Sequence, residues 1–322
     1  MKMKKIYLSV IIFVAILFVS CSGNADNMQE TEEITTVNAI ALQLENTRDF
    51  DVVYNPEKDL KMDILYPFNT KYDKSPLVIA FHGGGWISGE KSQIIEIFTP
   101  LIQELRENGY TVATVQYGYV TDTLHFPAPL EDCRDAILYL EENCEKYNID
   151  KDSVGLMGYS AGAQLAMLAA YAPEGHFNSE YKNNIKYCVS FAGPGKMYGD
   201  ELNKFSDGIL YLIEGLFGGT YKNKENDFIS GSPYSYIEKD KDSEELKKIP
   251  LFLAHDEKDE VVPFNQSEVM YNLSVEAGIP CEFLKLNGLG HLINFNSELM
   301  TSPDSEEAVK TITDFIYKYS RK

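Results

Sequence analysis

SVGLMGYSAGAQLAMLAA, residues 153–170, changes character midway. Its first seven residues are an almost continuous apolar run bounded by turn formers, the pattern of a strand covered on both faces. Its last eight, AQLAMLAA, are small, apolar and helix-favouring. Between them Gly158-Tyr159-Ser160-Ala161-Gly162 spells G-x-S-x-G. The pentapeptide alone is common, and its position at a strand-to-helix turn is what gives it meaning. Flanking glycines let neighbouring backbone approach a strained serine. The following helix aims free N–H groups and a positive dipole end at that serine.

Working outward, similar short runs recur: PLVIAF (76–81), YTVATV (110–115), YCVSFAG (187–193), PLFLAH (250–255) and CEFLKL (281–286). LKMDIL (60–65) reads as a mixed, edge-type strand after the shorter FDVVY run. Helical periods lie between them. Leu130, Cys133, Ile137, Leu140 and Cys144 recur at spacings of 3, 4, 3 and 4, and Ala308, Ile312, Phe315 and Tyr319 at 4, 3 and 4. Each set forms one apolar helix face. Strands alternating with helices predict an α/β fold with a mostly parallel central sheet and helices on both faces. Residues 194–249 break the rhythm with an amphipathic piece, FSDGILYLIEGLFGG, and the charge run KDKDSEELKK. An insertion at the edge where sites form is a candidate lid.

His82-Gly83-Gly84-Gly85-Trp86 follows the strand PLVIAF. Its glycines allow backbone N–H groups to point into a pocket where an oxyanion would form. A serine nucleophile also needs a base. Of the five histidines, His82 belongs to the glycine loop and His125 precedes the serine. His176 follows Ser160 too closely for an acid-bearing strand to intervene, and His255 sits just before the best acidic loop. His291, in Gly288-Leu289-Gly290-His291, remains. The loop HDEKDEVVP after PLFLAH offers Asp256, Glu257, Asp259 and Glu260. The chain order serine, acid, histidine is then satisfied.

HGGGW, GYSAG, the D-x-x-VP segment and GLGH together resemble the α/β-hydrolase superfamily over roughly residues 50–320. Within it the chain resembles the hormone-sensitive-lipase-related carboxylesterases, and most of all compact bacterial esterases of the feruloyl or acetyl-xylan type. Phe126-Pro127-Ala128-Pro129-Leu130-Glu131-Asp132 also resembles that family's segment opening the helix before the nucleophile strand. The resemblance implies a catalytic triad of Ser160, His291 and Asp259, the acid standing four residues after the strand-end histidine. Asp256 and Glu260 are then solvated loop carboxylates. It further implies an oxyanion hole made by the N–H groups of Gly84, Gly85 and Ala161, with His82 as a brace for the glycine loop. Trp86 and Tyr159 are candidate substrate-binding residues, although a packed core role suits the single Trp equally well.

Two departures stand out. The family usually shows Tyr-Arg where this chain reads Tyr117-Gly118-Tyr119, so a buried charge contact is expected to be missing. Asp256 stands where a glycine is usual, which puts the acid-loop turn in question. There is no room for a long N-terminal helical cap, which favours short or moderate acyl groups. The expected activity is hydrolysis of carboxylic esters, with acetyl or feruloyl groups on polysaccharides among the candidate substrates. A peptidase or arylformamidase of the same fold, or a catalytically silent binding module, are the alternatives.

The start of the chain reads as an address. Lys2, Lys4 and Lys5 precede an apolar stretch, residues 6–19, too short to cross a bilayer core that needs about 20 residues. Phe18-Val19-Ser20-Cys21 resembles a bacterial lipobox, with Phe18 where Leu is usual. It implies a signal peptide over 1–20, lipidation of Cys21, and an exported, membrane-anchored protein, the alternative being a secreted one. Residues 21–45 are polar and acidic and read as a flexible tether before one catalytic domain, 46–322, with 40–44 as a possible docking element.

The 29 basic and 49 acidic residues among 322 give a net charge of −20. Loss of the three leader lysines makes it 26 − 49 = −23. Such a surface repels phosphate backbones and disfavours nucleic-acid partners. Cys133 and Cys144, read on one helix, would stand about 16 Å apart, beyond disulfide reach. With Cys188 and Cys281 they are expected as free thiols, and none has metal-ligand spacing. DKDSEE (240–245) reads as a solvated face, and the chemistry needs no cofactor.

Overall fold

The computed structural model describes residues 47–174, 177, 181, 184–288, 290–296 and 302–320. The leader, Cys21 and the tether lie outside them, as does His176. Eight strands form one sheet: β1 (Arg48–Asn55), β2 (Leu60–Leu65), β3 (Ser75–Phe81), β4 (Thr111–Val115), β5 (Ile149–Tyr159), β6 (Ile185–Phe191), β7 (Leu251–Asp256) and β8 (Cys281–Leu286). Their order is β1-β2-β4-β3-β5-β6-β7-β8. β1, β2 and β4 pair antiparallel, and every pair from β4 to β8 is parallel. The continuous apolar runs β3, β4, β6 and β7 are almost wholly buried, as strands covered on both faces must be.

Helices cover the sheet in two layers. On one side α1 (Ser92–Ile97), α2 (Thr99–Glu107) and α9 (Ser305–Tyr319) share a core with Val78, Met157 and Phe252. On the other, α3 (Ala128–Glu142), α4 (Ala161–Tyr171) and α8 (Asn265–Glu276) pack against Ile79, Leu156 and Leu253. The spacing read near the C-terminus becomes the buried face of α9 as far as Phe315, whereas Tyr319 is only partly buried and Ile316 joins the face instead. Its Ala308, Ile312, Phe315 and Ile316 are no more than 1% exposed, and a fully buried Ile or Phe contributes about 1.5–3 kcal/mol. Asp304 caps its start by accepting from Glu307 N–H at 2.9 Å.

Three expectations change. β2 is not at the edge, because β1 pairs along it and Lys91 covers its polar residue. Asp63 is 2% exposed, accepts from Asp51 N–H at 2.9 Å and meets Lys91 Nζ at 3.0 Å. A buried carboxylate with a cation and an amide imitates the alternation of an edge strand. The period around Cys133 runs past the helix, since α3 ends at Glu142 and Cys144 instead accepts Ile149 N–H at 2.8 Å. Cys133, Cys144, Cys188 and Cys281 are free thiols. Asp256 is not solvated. It ends β7 at 1% exposure, and its Oδ1 accepts Lys258 N–H at 2.8 Å while its carbonyl accepts Asp259 N–H at 3.1 Å. Its φ is negative, so the turn requires no glycine there.

The expected gap in charge at Gly118 is filled from elsewhere. Asp132, 1% exposed on α3, accepts Gly118 N–H at 2.9 Å, and Lys58 of the β1–β2 turn places Nζ 2.5 Å from its other oxygen. A Cβ at Gly118 would stand 2.7 Å from Asp132 Oδ2, so a side chain there would displace the carboxylate. Burial works against the Lys58 ammonium, but the Asp132 carboxylate outweighs it and lifts the amine above its ordinary range. Lys58 is half exposed and Asp132 is not, which puts the pair between a surface and a buried salt bridge. Lys58→Met is expected to cost about 1–2 kcal/mol in urea denaturation, with Lys58→Arg restoring most of it. An unchanged midpoint would remove Lys58 from this role.

Candidate active site

Four loops leave the C-terminal ends of β3, β5, β7 and β8, where open α/β sheets gather their sites. The loop after β5 is one residue long. Ser160 has φ 53° and ψ −119°, a conformation that costs of order 1–3 kcal/mol and persists only where its surroundings enforce it. The enforcement is visible. Ser160 N–H donates to Phe191 O at 2.8 Å, and Ser160 O accepts Ala163 and Gln164 N–H at 3.0 and 3.2 Å, starting α4. A Cβ on Gly158 would stand 2.3 Å from Gly162 O, and one on Gly162 would stand 2.3 Å from both Phe81 O and His82 O. Both glycines of G-x-S-x-G are thus needed for backbone contact.

Ser160 Oγ lies 2.9 Å from His291 Nε2, and His291 Nδ1 lies 2.7 Å from Asp259 Oδ2. The other Asp259 oxygen accepts Val261 and Val262 N–H at 2.8 and 2.9 Å. Burial alone would raise the Asp259 carboxyl. Hydrogen bonds from His255 and His291 outweigh that and hold it well below the usual carboxylate range. Of the four acids in the loop, Asp259 is the one brought to His291. Glu257 and Glu260 are exposed.

The glycine loop lies against this turn. A Cβ on Gly83 would stand 3.3 Å from Ser160 Cβ. Gly84 and Gly85 have φ of +118° and +59°, and Ala161 is the first residue of α4. Among the described residues, the N–H groups of these three donate to no hydrogen-bond acceptor. His82 is fully buried and stacks on Tyr117 with centroids 4.2 Å apart. Gln116 donates to its Nε2 at 3.0 Å, so Nδ1 carries the proton and donates to Gly83 O at 2.7 Å. Burial lowers its pKa to about 4, so it braces the loop as a neutral ring.

Trp86 and Tyr159 both turn into the protein. The Trp86 indole is 3% exposed and donates to Gln164 Oε1 at 3.0 Å, while Gln164 donates to Gly231 O at 2.7 Å. The glycine loop, α4 and the insert are joined by that chain. Tyr159 stacks on His291 with centroids 5.4 Å apart and donates its hydroxyl to His291 O. Burial, then the Asp259 charge, raises its phenol well above the ordinary range, which leaves it a donor. These internal partners lie 78 and 132 positions away, and for Trp86 they match the packed alternative that the sequence left open.

The segment between β6 and β7 carries α5 (Asp207–Phe217), α6 (Tyr221–Ser230) and α7 (Pro233–Asp240). Leu212 of α5 stands 3.0 Å from where a Gly85 Cβ would be, and Leu216 O accepts Phe126 N–H at 2.8 Å. The predicted apolar area is covered in part, with Ile213, Leu216 and Phe217 buried and Tyr211 74% exposed. Among the described residues no group of three or more His, Cys, Asp or Glu is arranged to hold a metal ion.

A crossover sheet of this order, with a strained serine after its fifth strand and a histidine after its last, defines an α/β-hydrolase fold. The BD-FAE family model matches residues 62–273, and the chain belongs to that family. It is 26% identical over 250 residues to Esterase LipQ of Mycobacterium tuberculosis, covering 76% of this chain and 55% of LipQ. The chain spans about half the length of the curated relatives it matches. Among solved structures it is similar to a truncated carbohydrate esterase from gut microbiota, with TM-score 0.66, 22% identity, and 86% and 97% of the two chains covered. A bifunctional GH43-CE protein of Bacteroides eggerthii gives TM-score 0.67 at 20% identity, covering 85% of this chain and 35% of that one. At these identities the structural likeness is one of fold.

Proposed function

We propose that the chain is a serine carboxylic-ester hydrolase that works through an acyl-enzyme on short or moderate acyl or aryl esters, including esters carried on polysaccharides. One observation carries this: Ser160, His291 and Asp259 stand in a continuous hydrogen-bonded line, with the serine strained at the start of a helix. In this reading His291 Nε2 takes the Ser160 proton as Oγ attacks the ester carbonyl. Gly84, Gly85 and Ala161 N–H groups meet the oxyanion. His291 then returns the proton to the leaving alcohol, and water repeats the sequence to release the acid. Asp259 keeps the proton on His291 Nδ1 and stabilises the imidazolium.

The substrate class draws support from two sides. The similar solved structures include a carbohydrate esterase and a protein joining GH43 to CE. The exposed apolar residues include Ile87 beside the glycine loop, Leu292 beside His291, and Tyr211 on the helix that meets Gly85, a setting suited to an apolar acyl or aryl group. The Cys21-anchored, exported placement belongs to the same proposal and rests on the N-terminal segment.

The test is labelling by a fluorophosphonate followed by a panel of 4-nitrophenyl acetate, acetylated and feruloylated glycans, an aryl formamide and a dipeptide amide. Modification mapped to Ser160 with turnover of the esters is expected. Absence of labelling, or turnover of the formamide or amide in preference to every ester, would replace this reading.

A further inference from the structure

His255 is the last apolar-strand residue before the acidic loop, and the triad reading leaves it without work. It is fully buried near the end of β7, yet its partners are those of the site. Nε2 lies 3.0 Å from Asp259 Oδ2, the same oxygen that His291 Nδ1 reaches at 2.7 Å. Nε2 also lies 3.0 Å from Val262 O. A ring nitrogen facing a carboxylate and a carbonyl carries its proton, because neither neighbour can donate. Nδ1 lies 2.8 Å from Ser267 Oγ on α8, whose hydroxyl can donate to it. Asp259 and Val262 O therefore set the tautomer that makes His255 a donor, and the Ser267 hydroxyl, which can donate or accept, complements it. Phe264 closes the ring edge-on at 5.6 Å between centroids.

Asp259 thus receives four N–H groups, two from the backbone on Oδ1 and two from histidines on Oδ2. Without His255, two amides on one oxygen would leave rotation about the carboxylate bond and tilt of the second oxygen opposed by His291 alone. His291 must itself move charge during turnover. A second donor that does not take part in the proton transfer holds the oxygen while His291 changes protonation state.

We propose that His255 is a positioning residue for the acid of the triad, a second histidine that fixes the Asp259 oxygen on which His291 turns. It acts through Asp259 and touches no substrate. The proposal rests on the ester-hydrolase reading above, and the experiment separates the two.

His255→Leu removes the donor, His255→Gln returns an amide N–H near the Nε2 position, and His255→Phe keeps a ring without a donor. Each is assayed on 4-nitrophenyl acetate, with active sites titrated by the fluorophosphonate so that kcat refers to competent molecules. His255→Leu is expected to lower kcat by about 10–100-fold, as small misplacements of catalytic groups do, with KM within about twofold. His255→Gln is expected to recover most of the loss, and His255→Phe none of it. The downfield proton resonance of His291 Nδ1–H, read without substrate, is expected to move in His255→Leu and return in His255→Gln. Unchanged kcat per titrated site in His255→Leu would overturn the proposal, as would equal losses in Leu and Gln variants with the resonance unmoved. If His255→Leu does not fold, His255→Phe, a ring without a donor, decides, and full kcat per titrated site there rejects it. A wild-type protein that neither labels nor hydrolyses esters would fail the parent reading instead, while the resonance would still report on His255.

Discussion

Replacing Ser160 with alanine is expected to lower kcat for ester hydrolysis by about 10⁵–10⁶-fold, about 7–8 kcal/mol in barrier, while leaving the fold intact. The size follows from what the side chain does and what it does not. Among the described residues its hydroxyl is the hydrogen-bond partner of His291 Nε2, at 2.9 Å, so its loss leaves the base water to activate. The backbone does not depend on it. The positive φ is enforced through main-chain bonds to Phe191, Ala163 and Gln164, all of which alanine keeps. The residual rate belongs to the oxyanion donors and to binding. Steady-state kinetics on 4-nitrophenyl acetate beside thermal unfolding is the check. A variant retaining hydrolysis within tenfold of the parent, or one that is unfolded, would contradict the argument.

The serine, the glycine loop and the histidine were legible because each motif is local. A strand, a tight turn and a helix start occupy consecutive residues, so G-x-S-x-G beside an apolar run carries its own context. The sheet was legible for the same reason, since continuous apolar runs record burial on two faces. What stayed hidden depends on partners far along the chain. Lys58 neutralising Asp132 joins positions 74 apart, and no spacing rule connects them. Asp256 looked like a solvated loop acid because the extent of β7 depends on its pairing with Leu286 of β8. The packed role that the sequence left open for Trp86 is the one its bond to Gln164 describes, while the bond from Tyr159 to His291 O joins positions 132 apart that no local pattern connects. Which acid of the loop meets the base came from family likeness, and the geometry brings Asp259 alone to His291.

The same geometry explains why the elements around the serine are so heavily cross-tied. Gln164 links Trp86 to Gly231, Tyr159 links the nucleophile turn to His291 O, and Gln266 Oε1 accepts the N–H groups of Gly195 and Lys196 at 3.1 and 2.9 Å. The two glutamine ties join loops at the sheet edge to a helix behind them, and the Tyr159 tie joins the end of β5 to the histidine loop. A strained turn needs such support, since the cost of the Ser160 conformation is carried by the packing around it.

Asp259→Asn is the second large effect, expected at about 10⁴-fold in kcat. An amide that keeps its oxygen toward Val261 and Val262 N–H must point its NH₂ at two histidines. His291 can meet it only by moving its proton to Nε2, where it faces Ser160 as a donor and cannot accept the hydroxyl proton. His255 can do the same only by leaving Val262 O against a bare ring nitrogen, and otherwise two donors are left facing each other. The variant is therefore expected to lose stability as well as rate, of order 1–3 kcal/mol near neutral pH. The pH dependence gives a sharper check. The folded Asp259 carboxyl is held below its ordinary value of 3.8, so its stabilising contribution is whole above that value and is lost as pH falls from it toward the folded pKa. Asparagine has no such titration. Urea denaturation of the two proteins should show a gap that is steady from about pH 7 to 5 and narrows below about pH 4. A gap that stayed constant into strong acid would mean that the Asp259 charge does not stabilise the fold, and a rate loss under tenfold would remove it from the triad.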